Sequence, residues 1–265
     1  MLEFDKRELA PTVVRKRYGL SLDLCNNAGF TQSLRDLAFS SLPVPNYTTL
    51  FRRAKTLDVK LTILRENEPI HLDVDSTDLK VYGESEWKVR QQGYSKRRMW
   101  RKVHRALNAH TGQVHAALMT NQNVADGDAL AKLLDQIPRE KQIDVIGGDG
   151  AYDTKPCHAA IAARSAIPSI PPREGAVHWP ADMPGAAWRN GAVDAIARDG
   201  RREWKQDSGY HRRSLAENAI YRFKTLTGNC LWARHIASQA TEVSIRVGVI
   251  NRMADLARPQ SVRIA

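Results

Sequence analysis

Ile70-His71-Leu72-Asp73-Val74-Asp75-Ser76-Thr77 alternates apolar and polar side chains. Successive side chains of an extended chain point to opposite faces, so Leu72 and Val74 share one face and Asp73 and Asp75 the other. The stretch predicts a strand with one polar face, ending near Asp75, and Val81-Tyr82 predicts a continuation into a second strand. Downstream, Trp100 to Ala109 and Gln113 to Thr120 predict two further strands, joined by a turn at His110-Thr111-Gly112.

The pattern then changes to alternating helix and strand. Asp126 to Gln136 predicts a helix capped by Asp126 or Asp128. Ile143 to Ile146 reads as a buried strand emptying into Gly147-Gly148-Asp149-Gly150. Lys155 to Arg164 predicts a helix, and Ile167 to Ile170 a strand stopped by Pro171-Pro172. Residues 171–206 hold four prolines, three tryptophans and no clear period, which predicts an insertion of loops and short helices. Helix returns from Ser208 to about Leu226 and from Ala237 to Leu256. Upstream of Ile70, residues 1–66 read as mostly helical, with Leu34, Leu37 and Ala38 at helical spacing and a helix at Tyr47 to Leu57. Strands in series followed by alternating elements imply an α/β fold, a mixed sheet with helices on its faces.

Forty Lys and Arg against 29 Asp and Glu leave this 265-residue chain at +11. That length allows one large domain, or one domain with a small partner. A composition 42% apolar and 26% charged is ordinary for a globular protein and excludes wholesale disorder. No run approaches the ~18 apolar residues of a membrane span, and residues 1–7 lack a signal-peptide core. Cys25, Cys157 and Cys230 form neither a disulfide framework nor a zinc spacing, which favours a reducing, cytosolic setting. The positive charge is uneven. Between Lys88 and Arg105 stand Lys88, Arg90, Lys96, Arg97, Arg98, Arg101, Lys102 and Arg105 with no acid, and Trp87, Tyr94 and Trp100 border or interrupt the run. A second basic zone holds Arg198, Arg201, Arg202, Lys205, Arg212 and Arg213. Cations that neutralise phosphates and aromatics that stack on bases suit a nucleic acid, while a solvated basic face with aromatics turned inward fits equally well.

Three acids occupy places where chemistry is done. Asp75 and Asp149 follow strands, where ligands of open sheets bind, and Glu217 lies on a later helix. On a wheel of about 100° per residue, Tyr210, Arg213, Glu217 and Lys224 fall within about 60° of one another, opposite Leu215, Ala219, Phe223 and Leu226. Three carboxylates could hold two divalent cations for phosphoryl transfer, with Arg213 and Lys224 on the phosphate backbone. Spacing alone leaves structural readings open. Ser214-x-x-Glu217 also fits a capping box, and Asp149 and Asp75 could be turn residues.

Tyr210-x-x-Arg213-x-x-x-Glu217-x-x-x-x-x-x-Lys224 resembles the Y-R-E-K signature of bacterial insertion-sequence transposases of the DDE class. Val74-Asp75-Ser76-Thr77, Leu79-Lys80-Val81-Tyr82-Gly83 and Gly148-Asp149-Gly150-Ala151-Tyr152-Asp153 are similar to the same group. So is Ser95-Lys96-Arg97-Arg98-Met99-Trp100-Arg101-Lys102, most closely to the insertion-sequence-five family, itself related to the insertion-sequence-four family. The likeness covers roughly residues 43–258.

The resemblance implies a ribonuclease H-like mixed sheet flanked by helices, with a short N-terminal helical region. It implies metal-dependent DNA cleavage at transposon ends and strand transfer into target DNA. The implied metal ligands are Asp75, preferred to Asp73, then Asp149, preferred to Asp153, and Glu217. The implied cofactor is Mg²⁺, with Mn²⁺ as a substitute, at two ions per site. Tyr210, Arg213 and Lys224, together with Lys96, Arg97, Arg98, Arg101 and Lys102, would bind DNA. Trp179, Trp188 or Trp204 would stack on a flipped base, or pack in the core. The implied partners are double-stranded terminal inverted repeats, target DNA and a second copy in a synaptic homodimer, with no membrane. The setting is the bacterial cytoplasm, on the nucleoid when DNA is bound. Residues 1–66 would bind DNA ends in a form shorter than usual for the family, and 67–258 would be the catalytic domain with its insertion at 171–206. The alternatives are a ribonuclease H-like nuclease without strand transfer and an inactive DNA-binding transposon remnant.

Overall fold

The computed structural model describes residues 32–33, 35–36, 43–44, 46–61, 69–81 and 99–256. Most of the N-terminal region, Tyr82, Gly83 and the basic stretch through Lys96, Arg97 and Arg98 lie outside the described residues, as do Leu34, Leu37 and Ala38. Helix α1 spans Tyr47–Arg53, shorter than expected, with the Asn46 side chain accepting from the Thr48 backbone N–H at its start.

The alternating stretch forms one strand, β1, Ile70–Val81. It does not break into two, and Asp75 lies in its middle. β2 (Trp100–Asn108) pairs with it antiparallel, setting Asp75 opposite Arg105. β3 (Val114–Asn121) pairs antiparallel with β2. Helix α2 (Asp126–Asp135) then crosses to β4 (Ile143–Gly147), which runs parallel to β1. Helix α3 (Lys155–Ala162) leads to β5 (Ile167–Ser169), parallel to β4. The strand order β3-β2-β1-β4-β5, with antiparallel strands on one side and parallel ones on the other, is the ribonuclease H-like arrangement. A strand not foreseen, β6 (Cys230–Leu231), pairs with the far end of β1.

β1 is central, paired along its two edges with β2 and β4, and both its faces are covered. Ile70, Leu72 and Val74 are buried with Ile146 and the apolar sides of α2 and α3, including Leu130, Leu133 and Ile161. Leu79, Val103, Leu107 and Val114 are buried on the other face against Phe223, Val243, Val247 and Ile250. Each fully buried Leu, Ile, Val or Phe contributes about 1.5–3 kcal/mol, so the two clusters fix the sheet between its helices. The polar face expected of β1 is therefore not a solvent face: His71, Asp73 and Thr77 are buried on it.

Helix α4 (Ala186–Asp199) and helix α5 (Arg201–Asp207) fill much of the insertion, where loops and short helices were expected. The helix expected from Ser208 is two elements: a 3₁₀ turn at Tyr210–Arg213, then α6, Ser214–Thr227. Gly209, at φ 68°, separates them from α5 in a conformation that glycine adopts freely. Helix α7 (Ile236–Leu256) closes the second layer. Asn251 fastens it to β3 by bonding both the N–H and the carbonyl of Val114 at 2.8 Å. Ala125, rather than Asp126 or Asp128, precedes α2, without a side-chain cap. Asp126 instead pairs with Lys102 at 3.1 Å.

Candidate active site

Asp73 and Asp75 share a face of β1 but not an environment. Asp73 is 2% exposed and lies against His71 Nε2 at 3.5 Å, in space left open by the absent side chain of Gly147. Asp75 lies two residues beyond the last β1–β4 pair, Asp73 with Gly147, and so beside the end of β4. Its Oδ1 accepts from the Ser76 N–H at 2.8 Å. Burial pushes the Asp75 carboxyl above its ordinary range, and the charge of Asp149 adds to this. The Ser76 N–H, Arg213 and Arg105 act in the opposite direction.

Asp149 leaves the end of β4 and begins the 3₁₀ turn Gly150–Tyr152, its Oδ1 accepting from the Ala151 N–H at 2.8 Å. Its other oxygen lies 3.6 Å from Arg213 Nη2, which is also 3.9 Å from Asp75 Oδ1. The two preferred aspartates thus converge on one guanidinium. Asp153 does something else: it is buried in an ion pair with Arg189 at 3.2 Å and lies 3.3 Å from His158 Nε2. Burial alone would raise its carboxyl, but these partners and the Arg173 N–H hold it down at about 2. Asp75 and Asp149 thus lie beside one guanidinium, whereas Asp73 and Asp153 are sealed in internal contacts, and Asp149 also caps its turn.

Arg213 ends the 3₁₀ turn immediately before α6, and its Nη1 donates to the Tyr210 hydroxyl at 3.0 Å. Burial works against its charge, but Tyr210 and the two carboxylates outweigh that and hold the guanidinium above its usual range. Tyr210 in turn packs beside Trp204 and Lys205. Glu217 lies in the first turn of α6, exposed, and makes no hydrogen bond or ion pair among the described residues. No side-chain bond caps α6, so the capping-box reading of Ser214 and Glu217 does not hold. Lys224 is half-buried farther along the helix. Phe223 anchors the inner face of α6, but Leu226, expected to join it, is 43% exposed, and the side chain of Leu215 lies outside the described residues.

Arg105 was read as one member of the basic run, but it is 1% exposed and faces Asp75 across the β1–β2 pair. Its guanidinium lies over the Phe223 ring at 5.1 Å, and Nη1 reaches the Ala219 carbonyl at 3.5 Å. Burial pulls it down to about 10, against the charge of Asp75. A charge at period two between Val103 and Leu107 was the available signal. Arg101 and Lys102 are engaged internally: Arg101 with Gln239 and Asn121, Lys102 with Asp126 and the Val124 carbonyl. Of the tryptophans, Trp204 is 7% exposed and packs as core, Trp179 lies under Arg189 and against His158, and Trp188 is 55% exposed.

Among the described residues no three His, Cys, Asp or Glu side chains are grouped as a metal-ligand set. The aspartate pair nevertheless fits a hard divalent cation. Two carboxylates, one on β1 and one in the turn after β4, already converge on one positive group, each with an oxygen steadied by a backbone N–H.

The Transposase DDE domain family matches residues 66–251, and a second family of the same description matches residues 11–84, beginning upstream of Pro43, where the likeness in motifs begins. A cryo-EM structure of the simian T-cell lymphotropic virus intasome in complex with PP2A regulatory subunit B56 gamma is similar at 13% identity, over 84% of this chain and 74% of that one. Its TM-score of 0.29 is too low to carry any inference. The first match covers the whole described sheet, both aspartates, Arg213 and the helix that carries Glu217. On that match the chain belongs to the DDE transposase family.

Proposed function

We propose that the protein cleaves DNA at the ends of a transposon and joins the freed 3′-hydroxyl to target DNA, using Asp75, Asp149 and Glu217 as its metal-holding carboxylates. The observation that supports this most is the convergence of Asp75 and Asp149 on Arg213 where β4 ends. In cleavage, a water oxygen bonds to phosphorus as the bond to the 3′ oxygen breaks, leaving a 3′-hydroxyl and a 5′-phosphate. In strand transfer, the 3′-hydroxyl bonds to a target phosphorus and displaces the target's own 3′ oxygen, so one phosphodiester forms for each one broken.

The family works with divalent metal ions; here Mg²⁺, or Mn²⁺ in its place, at two ions per site would polarise the phosphate and activate the attacking oxygen. The chain's own groups hold the reactants. Arg213, oriented by the Tyr210 hydroxyl, presents a planar fork that matches a phosphate, and Lys224 adds a point charge on the helix that follows. Lys96, Arg97 and Arg98 belong to the basic stretch that would follow the backbone of terminal-repeat and target duplexes, and Arg101 and Lys102, bonded within the fold, would add to its field rather than grip a phosphate. Residues 1–66 would read the ends, and 67–258 would act as a homodimer in the synaptic complex, on the bacterial nucleoid. No helix among the described residues is long and apolar enough to cross a membrane.

Asp75→Asn, Asp149→Asn and Glu217→Gln should each reduce Mg²⁺-dependent cleavage of terminal-repeat duplexes to background and leave duplex binding within a few-fold. Full activity in any one removes that residue from the ligand set. Pre-nicked ends separate the alternatives: cleavage without joined product marks a nuclease, and binding without either reaction marks a remnant.

A further inference from the structure

The charges around the two carboxylates cancel. Asp75 and Asp149 bring two negative charges, and Arg105 and Arg213 bring two positive ones. The two arginines are held very differently. Arg105 is sealed between β2 and α6, with the Phe223 ring on its guanidinium. Arg213 stands at the mouth, with its side chain 20% exposed, four residues after the positive-φ Gly209.

Arg213 is also poorly satisfied. At 3.6 and 3.9 Å its contacts with the carboxylates are too long for good hydrogen bonds. Its Nε is buried with no partner. A group in that state has more to gain from a bidentate phosphate than from the carboxylates it now faces. A divalent cation shared by the two aspartates would meet this guanidinium at close range, where like charges repel strongly in a half-buried site.

We infer that Arg213 is an exchangeable internal counter-ion, which neutralises Asp75 and Asp149 in the DNA-free protein and opposes divalent-cation binding until a DNA phosphate draws it away. Phosphate and cation binding are then coupled through one side chain, and the site charges itself with metal when DNA arrives. The inference rests on the metal-holding role proposed above for the aspartates.

The test is a Mn²⁺ titration of the full chain, read from the electron paramagnetic resonance signal of the free ion. Without DNA, Arg213→Gln and Arg213→Ala should each bind Mn²⁺ about tenfold more tightly than the unmodified protein. Arg212→Gln makes the same change in net charge away from the carboxylates, its guanidinium facing His110, and should leave the affinity unchanged. Duplex DNA, corrected for its own Mn²⁺ binding, should tighten the unmodified protein markedly more than Arg213→Gln. Arg213→Gln and Arg213→Ala binding no tighter than Arg212→Gln, or equal tightening by DNA in both proteins, overturns the inference. Failure of Asp75→Asn and Asp149→Asn to weaken Mn²⁺ binding would instead remove the metal-holding role itself.

Discussion

Gly147 is a glycine because the Asp73 carboxylate occupies the space its side chain would need: a Cβ there would run into Asp73 Oδ1 and approach His71 Nε2. Gly147→Ala should therefore cost about 1–3 kcal/mol of stability, as overpacked buried sites do, and lower the urea midpoint. An unchanged midpoint would show that Asp73 can move aside. This packing also explains why two aspartates on one strand face have different fates: Asp73 is sealed in, while Asp75, two residues on, lies beside the end of β4. The alternation of Leu72, Asp73, Val74 and Asp75 was legible as a strand. The alternation alone did not separate the two acids, which only the motif likeness did, because period two assigns a face and says nothing of where the neighbouring strand stops. Arg105 was hidden for the same reason. In the sequence it is one cation of eight between Lys88 and Arg105, and only the pairing of β1 with β2 sets it opposite Asp75.

Among the elements, α4 departs furthest from expectation. Its fourteen residues carry no broad apolar stripe, since the helix is held by a few specific bonds instead. Arg189, 4% exposed, pairs with Asp153, donates to the Val177 carbonyl and lies over the Trp179 ring. Asn190 exchanges two hydrogen bonds with the Trp179 backbone. Asp153 is thus the point where the insertion is tied to the turn that begins at Asp149. Its carboxyl is held at about 2, below its unfolded value of 3.8, so it stabilises the fold above that unfolded value. The contribution, about 2 kcal/mol, is lost as pH falls through about 2. Asp153→Asn should lose that much at neutral pH and flatten the fall in stability between about pH 4 and pH 2, as followed by chemical denaturation across that range. A variant with the same pH profile as the unmodified protein would place the dependence elsewhere. The 3₁₀ turn at Tyr210–Arg213 is a smaller departure of the same kind. The wheel drawn for one continuous helix from Tyr210 missed the change from 3₁₀ to α geometry after Arg213, yet Tyr210 and Arg213 still meet, because three residues of 3₁₀ helix complete a turn.

Across the whole molecule the charge of +11 favours a polyanion, and the described residues show how unequally the cations serve one. Arg105, Arg189 and Arg246 are buried, and Arg101 and Lys102 are bonded within the fold. Neutralising Lys96, Arg97 and Arg98 together to Gln should weaken duplex binding evenly across sequences. It should also reduce the slope of log affinity against log salt by about 2.7, at about 0.9 per phosphate contact. An unchanged slope would mean that these three touch no phosphate. The sequence by itself determined the order of β1 to β5 with the helices between them, the mixed sheet, the acidic positions and the family motif, because period and spacing are local and repeat along the chain. Only the tertiary structure decided which acids converge, which arginines are sealed in the interior, and that Arg213 stands between Asp75 and Asp149. Those relations join residues scores of positions apart, and they depend on where strands end and what packs over them, which no local pattern records.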